Sequence, residues 1–236
     1  RRRLRRRRRR DLRLDGLRRG LEHMYVEKVP VYYYITLMNE AYYHPAMPEA
    51  VEEDIVKGMY LLETLGDSAA PRIRILGSGA LLPEARRAAQ QLVDTYGLRA
   101  QVYSVTSYTE LARNIQDHQR EALIHPESSA TACHVSNLLN EGGWSYAPVI
   151  AVSDYVKALP EQLRAAIDAP LRVLGTDGFG RSDTREQLRA FFEVDSQFIQ
   201  YSALSELVAA GRMQLNLEDV RDQLGIQSDK PNPREN

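Results

Sequence analysis

The chain has 236 residues, 43% of them hydrophobic, and a formal net charge of −1. That is enough apolar material for a buried core, so a chain disordered throughout is excluded. The single cysteine, Cys133, excludes a disulfide framework within the chain and fits a reducing compartment. The charge is unevenly spread. Residues 1–20 hold 12 arginines and two acids, which leaves 19 basic and 30 acidic side chains in residues 21–236, a balance of −11. No apolar run approaches the ~20 residues of a membrane-spanning helix. The basic start is not followed by the apolar stretch of a secretory signal, and it lacks the serines of a transit peptide.

Nine of the first ten residues are arginine, and such a block repels itself and is expected to stay unfolded. It reads either as a polycationic arm for nucleic acid or an acidic membrane, or as a GC-rich reading frame shifted by one base. The absent initiator Met favours the second reading, so residues 1–19 are expected to be foreign to the fold. Globular pattern starts near Gly20. Leu21, Met24 and Tyr25 share one helix face, and the β-branched and aromatic run 31–37 predicts a strand covered on both faces. Residues 44–48, rich in proline, predict an extended connection and a domain boundary. Glu49, Glu52, Glu53 and Asp54 then occupy the first turns of a short helix, where the dipole favours carboxylates and no metal is needed to explain them.

From Lys57 onward strand and helix patterns alternate. Strands are predicted at 59–62, 72–76, 102–105, 148–152 and 171–174. A helix carrying Ala85, Ala88, Ala89, Leu92, Val93 and Tyr96 on one face stops at Gly97. The capping box Ser107-x-x-Glu110 opens a helix to about Ala122. Further helices are predicted around 161–167, after Asp183-x-x-Glu186 (burying Leu188, Phe191 and Phe192), from Asp195 to Gly211 (with Tyr201, Leu204, Leu207 and Val208 inward), and from Asn216 to Gly225. The tail with Pro231 and Pro233 is expected to be loose. Such alternation defines an α/β fold: a three-layer, mostly parallel sheet of about four strands plus one edge strand over residues 57–236. Residues 20–45 supply only one helix and one strand, and read as the end of another α/β domain.

Few motifs carry chemistry. Gly77-Ser78-Gly79 lies where a phosphate-binding turn would, but the dinucleotide fingerprint needs a third glycine where residue 82 is leucine; a tight strand-to-helix turn is the expectation. The run Gly175-Thr176-Asp177-Gly178-Phe179-Gly180-Arg181-Ser182 follows a strand, at the edge where ligands of open α/β sheets collect. Asp177 and Arg181 could meet a charged group there. The reading preferred is a sharp turn whose exposed Phe179 packs on a neighbouring subunit, which makes Asp177, Phe179 and Arg181 a candidate subunit-contact loop. The histidines (His23, His44, His118, His125, His134) form no zinc pattern. Cys133 and His134 are sequence neighbours whose side chains should diverge, so Cys133 reads as a small buried residue. No nucleoside-phosphate loop or Gly-x-Ser-x-Gly elbow is present, and no catalytic, cofactor-binding or metal residue is assigned.

Three ordered runs carry a family resemblance: residues 31–37 with Asn39-Glu40 and Pro45-Ala46-Met47-Pro48-Glu49; Val102-Tyr103-Ser104-Val105-Thr106-Ser107-Tyr108-Thr109-Glu110-Leu111-Ala112-Arg113; and residues 173–186 followed by Phe192-Glu193-Val194-Asp195. Together they resemble the C-terminal part of the homodimeric, bacterial-type decarboxylating components of pyruvate dehydrogenase complexes, in the transketolase-like thiamine-diphosphate family. The resemblance covers about residues 20–236. It implies that 20–47 end a pyrimidine-binding domain and that 48–236 form a transketolase-like C-terminal domain. It implies a cytoplasmic homodimeric enzyme that oxidatively decarboxylates pyruvate and transfers acetyl to a lipoyl domain. The implied cofactors are thiamine diphosphate and magnesium, and the partner is the dihydrolipoyl acetyltransferase component. The family's diphosphate motif Gly-Asp-Gly is absent; Gly66-Asp67-Ser68 is the nearest string and falls in the wrong domain. The activating glutamate and catalytic histidines would lie upstream of residue 1. This chain alone is therefore expected to be inactive, to bind no cofactor, and to supply dimer and fold support. One departure is Ala41, where relatives carry asparagine. An α/β module with a polycationic arm contacting nucleic acid is the alternative, although the acidic body opposes it and neither nucleic acid nor membrane is an expected partner. A third possibility is a domain that works alone as a dimerisation module.

Overall fold

The structure, a computed structural model, describes residues 11–36, 42–43, 45–127, 132–140 and 143–235. Among these, five strands make one sheet: β1 (Met59–Leu65), β2 (Arg72–Ser78), β3 (Arg99–Val105), β4 (Val149–Val152) and β5 (Leu171–Leu174). Their order is β1-β3-β2-β4-β5. β1 runs antiparallel to β3 at one edge, and the other neighbours are parallel. This is the expected arrangement of four parallel strands and one edge strand.

Alternation along each strand splits the core in two. Ile73, Ile75, Ala100, Val102, Ile150 and Val152 face one layer, built by α3 (Leu82–Tyr96), α8 (Ser196–Ala209) and α9 (Leu217–Gln223). Leu76, Tyr103, Val149, Ala151 and Val173 face the other, with Leu111 and Ile115 of α4 (Tyr108–Ile124), Val135 and Leu139 of α5 (His134–Leu139), and Leu163 after α6 (Ala158–Glu161). Gly77 permits the closest approach: a Cβ there would lie 2.8 Å from that of Ala85 and 3.0 Å from Leu82 Cα, so strand and helix meet with no side chain between.

Arg74 is the exception in this apolar interior. It points to the second face, is 0% exposed, and lies on a central strand. Its guanidinium donates to the carbonyls of Leu139 (2.5 Å) and Ala147 (2.5 and 3.2 Å). Burial pulls its pKa down to about 10, so it remains a cation at neutral pH. One side chain thereby fastens the end of α5 and the approach to β4 onto the sheet.

The caps follow local chemistry. Ser107 Oγ accepts from Glu110 N (3.2 Å), Asp195 Oδ1 from Phe198 N (2.9 Å) and Asn216 Oδ1 from Glu218 N (3.0 Å). Gly97 closes α3 with φ 63°. The helix α7 (Arg185–Phe191) differs: Thr184 is its cap, accepting from Gln187 N, while Asp183 accepts from Thr184 N. Leu188, Phe191 and Phe192 are half-buried rather than buried, because α7 lies at the rim of the sheet's first layer. Leu204 and Leu207 are buried as expected, with Ile199 and Ala203 beside them, while Tyr201 and Val208 are only partly covered.

Other expectations fail for identifiable reasons. Helix α1 (Asp11–Leu21), continued by a π-helical turn Glu22–Val26, starts well before Gly20, whereas the short acidic helix α2 (Glu52–Lys57) forms as expected. From Asp11 onward two acids and four leucines dilute the arginines, so self-repulsion no longer opposes helix. The arginine-rich residues 1–10 lie outside the described residues. Residues 31–36 form no strand; Tyr32 is 89% and Tyr34 87% exposed. Their composition favours β structure, but no neighbouring strand supplies a ladder among the described residues. Leu37 and residues 39–41 lie outside the described residues. The predicted helix at 161–167 is a short α-helix, α6, running into a 3₁₀ turn at Gln162–Ala166, and Ile167 is already extended. Helix α5 has no sequence signal: its cap residue Cys133 makes no side-chain cap bond, so no local N-terminal pattern announces it. The segment 226–235 is tied down rather than loose, through Lys230 and Pro233. No helix among the described residues is long and apolar enough to cross a membrane.

Candidate functional site

The chain passes from β2 to β3 on one side and then to β4 on the other, so the sheet's switch point lies between the carboxyl ends of β2 and β4. Open α/β sheets bind ligands at that point. Here it gathers Ser78, Tyr108, Asp154 and Arg189. Ser78 Oγ and Tyr108 OH both donate to Val152 O, at 3.4 Å each. Burial, aided by the charge of Asp154, pushes the Tyr108 phenol well above its ordinary value. Burial also raises the carboxyl of Asp154, against the opposing pull of Arg189, and it raises that of Asp195. A carboxylic acid whose pKa rises on folding favours the fold while protonated and loses that contribution as pH climbs through the raised value.

Glu84 occupies the space beside this crevice. Its side chain is 4% exposed. It accepts from Arg189 Nη1 (2.9 Å), from the first amide of α8, Ser196 N (3.1 Å), and from Arg87 Nη1 (3.3 Å). Arg189 Nη2 also donates to Ala80 O (3.3 Å). Beside the switch point, the chain's own ion pair thus clamps α7 and α8 to α3.

The remaining candidates are placed as follows. Gly77-Ser78-Gly79 is the expected tight turn: the space over Gly77 is taken by Ala85 and Leu82. Asp177 turns inward, its Oδ1 accepting from Lys157 N (3.0 Å). Arg181 stacks its guanidinium 4.1 Å from the Phe191 ring centroid, and Phe179 is 79% exposed. Phe179 and Arg181 are thus exposed on the loop, while Asp177 is only partly so. His23 bonds Tyr33 OH (2.7 Å), His125 lies beside Glu121 and Glu127, and His118 sits half-buried on α4. His134 is buried with Nε2 2.9 Å from Met59 O. Cys133 is buried and its sulfur meets Ser136 Oγ (3.4 Å). His44 lies outside the described residues. A cavity of about 480 Å³ separates Tyr42, Tyr43 and Pro45 from α3, but both its cations are engaged: Arg86 is bidentate on Glu63 (2.7 and 3.1 Å) and Arg87 pairs with Glu84 (3.3 Å). Glu84, Arg189 and Asp154 were missed by sequence reasoning, since their partners lie too far along the chain for any local pattern.

These residues do not fit a thiamine-diphosphate site. The turn that would cradle phosphate is packed with aliphatic side chains. Among the described residues no three of His, Cys, Asp or Glu converge to hold a metal ion.

The fold is a three-layer α/β domain with the Glu84–Arg189 ion pair beside its switch point. The family of the transketolase-like TK C-terminal domain matches residues 58–195, over half the chain, and the chain belongs to that family. Among curated relatives, the pyruvate dehydrogenase E1 component of Escherichia coli (strain K12) is 46% identical over 218 residues, 91% of this chain and 24% of that protein. Those of Cupriavidus necator and Pseudomonas aeruginosa are 44% and 41% identical over 93% and 92% of this chain, again 24% of each relative. The chain thus spans about a quarter of the length of the relatives it matches. A solved transketolase from Campylobacter jejuni overlaps 63% of this chain and 18% of its own, with TM-score 0.41 and 19% identity.

Proposed function

We propose that this chain is the C-terminal part of a pyruvate dehydrogenase E1 component. The supporting observation is identity of 41–46% sustained over more than nine-tenths of the chain. In this reading the parent is a cytoplasmic homodimer that decarboxylates pyruvate with thiamine diphosphate and magnesium and passes acetyl to the lipoyl domain of a dihydrolipoyl acetyltransferase. Residues 20–47 close its pyrimidine-binding domain and residues 48–236 form its C-terminal domain. The present residues hold neither cofactor. They supply a rigid α/β body and, at the 175–182 loop, a subunit contact led by Phe179, with Arg181 beside it and Asp177 bracing the loop from within.

The isolated chain is expected neither to bind thiamine diphosphate with magnesium nor to turn over pyruvate. Calorimetric titration with both checks this: a flat trace is the expected result, and saturable micromolar binding would sink the assignment of the cofactor to the rest of the parent.

A further inference from the structure

The rim loop 175–182 is held in two halves by different parts of the molecule. Its first half is fixed by the turn after β4: Thr176 N donates to Tyr155 O (3.0 Å), Thr176 Oγ1 to Asp154 O (2.8 Å), and Asp177 accepts from Lys157 N. Its second half meets a different neighbour. Gly178 has φ +107°, and a Cβ on it would lie 2.6 Å from Pro233 O, so the backbone of the 226–235 segment runs directly across the loop.

That crossing segment is itself anchored. Lys230 Nζ donates to Phe191 O (2.6 Å) and pairs with Glu193 (3.1 Å), and it stands 5.4 and 5.5 Å from the ring centroids of Phe191 and Phe198. Beyond it the chain forms a compact turn: Arg234 N donates to Asn232 Oδ1 (3.1 Å), and Glu235 N to Asn232 O (3.0 Å). Phe191 links the two pieces. The same ring takes the loop's Arg181 guanidinium and the segment's Lys230 ammonium, each a cation–π contact.

We propose that residues 226–235 act as a strap that orders the second half of the 175–182 loop. Given the reading of this loop as a subunit contact, the strap sets the angle at which Phe179 is offered to the partner. With Lys230 released, Pro233 no longer covers Gly178, and the loop around Arg181 opens.

Limited trypsin digestion of the full chain tests this, because cleavage after Arg181 requires local opening of the loop. In Lys230→Met, cleavage after Arg181 is expected to accelerate about tenfold while cleavage after Arg113, on the distant helix α4, keeps its rate. An unchanged rate at Arg181 would overturn the strap. If Lys230→Met accelerates both sites, Glu193→Gln decides, since it removes only the charge of the pair: a smaller acceleration confined to Arg181 supports the strap, and none refutes it. Sedimentation of the same samples separates the strap from the contact on which it rests. Faster cleavage with an unaltered monomer–dimer equilibrium would leave the strap standing and remove the subunit contact.

Discussion

Arg74→Ala is expected to cost about 4 kcal/mol of folding stability, read as a lowered urea midpoint at unchanged m. Two effects add. The carbonyls of Leu139 and Ala147 lose their donors inside the core, at about 1–3 kcal/mol for each orphaned group. The alkyl stem of a fully buried side chain is removed as well, leaving a cavity on the central strand. Arg74→Met keeps most of the volume and isolates the first effect, so about 2 kcal/mol is expected from it. Against the 5–15 kcal/mol of a typical domain, the alanine variant removes a large share. A shift under about 1 kcal/mol in Arg74→Ala would show that the α5–β4 connection does not depend on this side chain.

The second large effect is expected at Glu84. Glu84→Ala leaves Arg189, a mostly buried side chain, without its anion and leaves Ser196 N, the first amide of α8, without its acceptor. Breaking a buried pair from one side costs about 3–5 kcal/mol, since the surviving charge is left uncompensated. Glu84→Gln retains an acceptor of the same shape and should cost about 1–2 kcal/mol. The double variant Glu84→Ala with Arg189→Met should recover part of the loss, because no lone cation remains. Chemical denaturation of all three checks this. Equal stability of Glu84→Ala and the parent chain would mean the pair does not hold α7 and α8 to α3.

Both predictions concern contacts that a linear reading cannot reach. Arg74 bonds carbonyls 65 and 73 positions away, and Glu84 bonds Ser196 across 112. Ser107, Asp195, Asn216 and Gly97 were legible because a cap is decided within a few residues. The sheet was legible for a related reason. Strands buried on both faces leave dense apolar runs, and Val149–Val152, buried at every position, is the plainest of them. Residues 31–36 misled because β propensity describes how a side chain fits a sheet, and a sheet must be present to receive it. At the rim, glycine spacing located the 175–182 loop. It could not show that Asp177 would turn inward to Lys157, nor that Pro233 would lie over Gly178, since both partners come from elsewhere in the chain.

As the proposed C-terminal portion of a pyruvate dehydrogenase E1 component, this chain should work in place of the matching part of a relative. The most direct measurement is pyruvate decarboxylation by a chimera, in which residues 20–236 replace the matching quarter of the Escherichia coli protein. At 46% identity a dimeric chimera is expected, releasing carbon dioxide from pyruvate at a rate within about tenfold of the parent enzyme. A chimera that folds and dimerises yet releases none would contradict it.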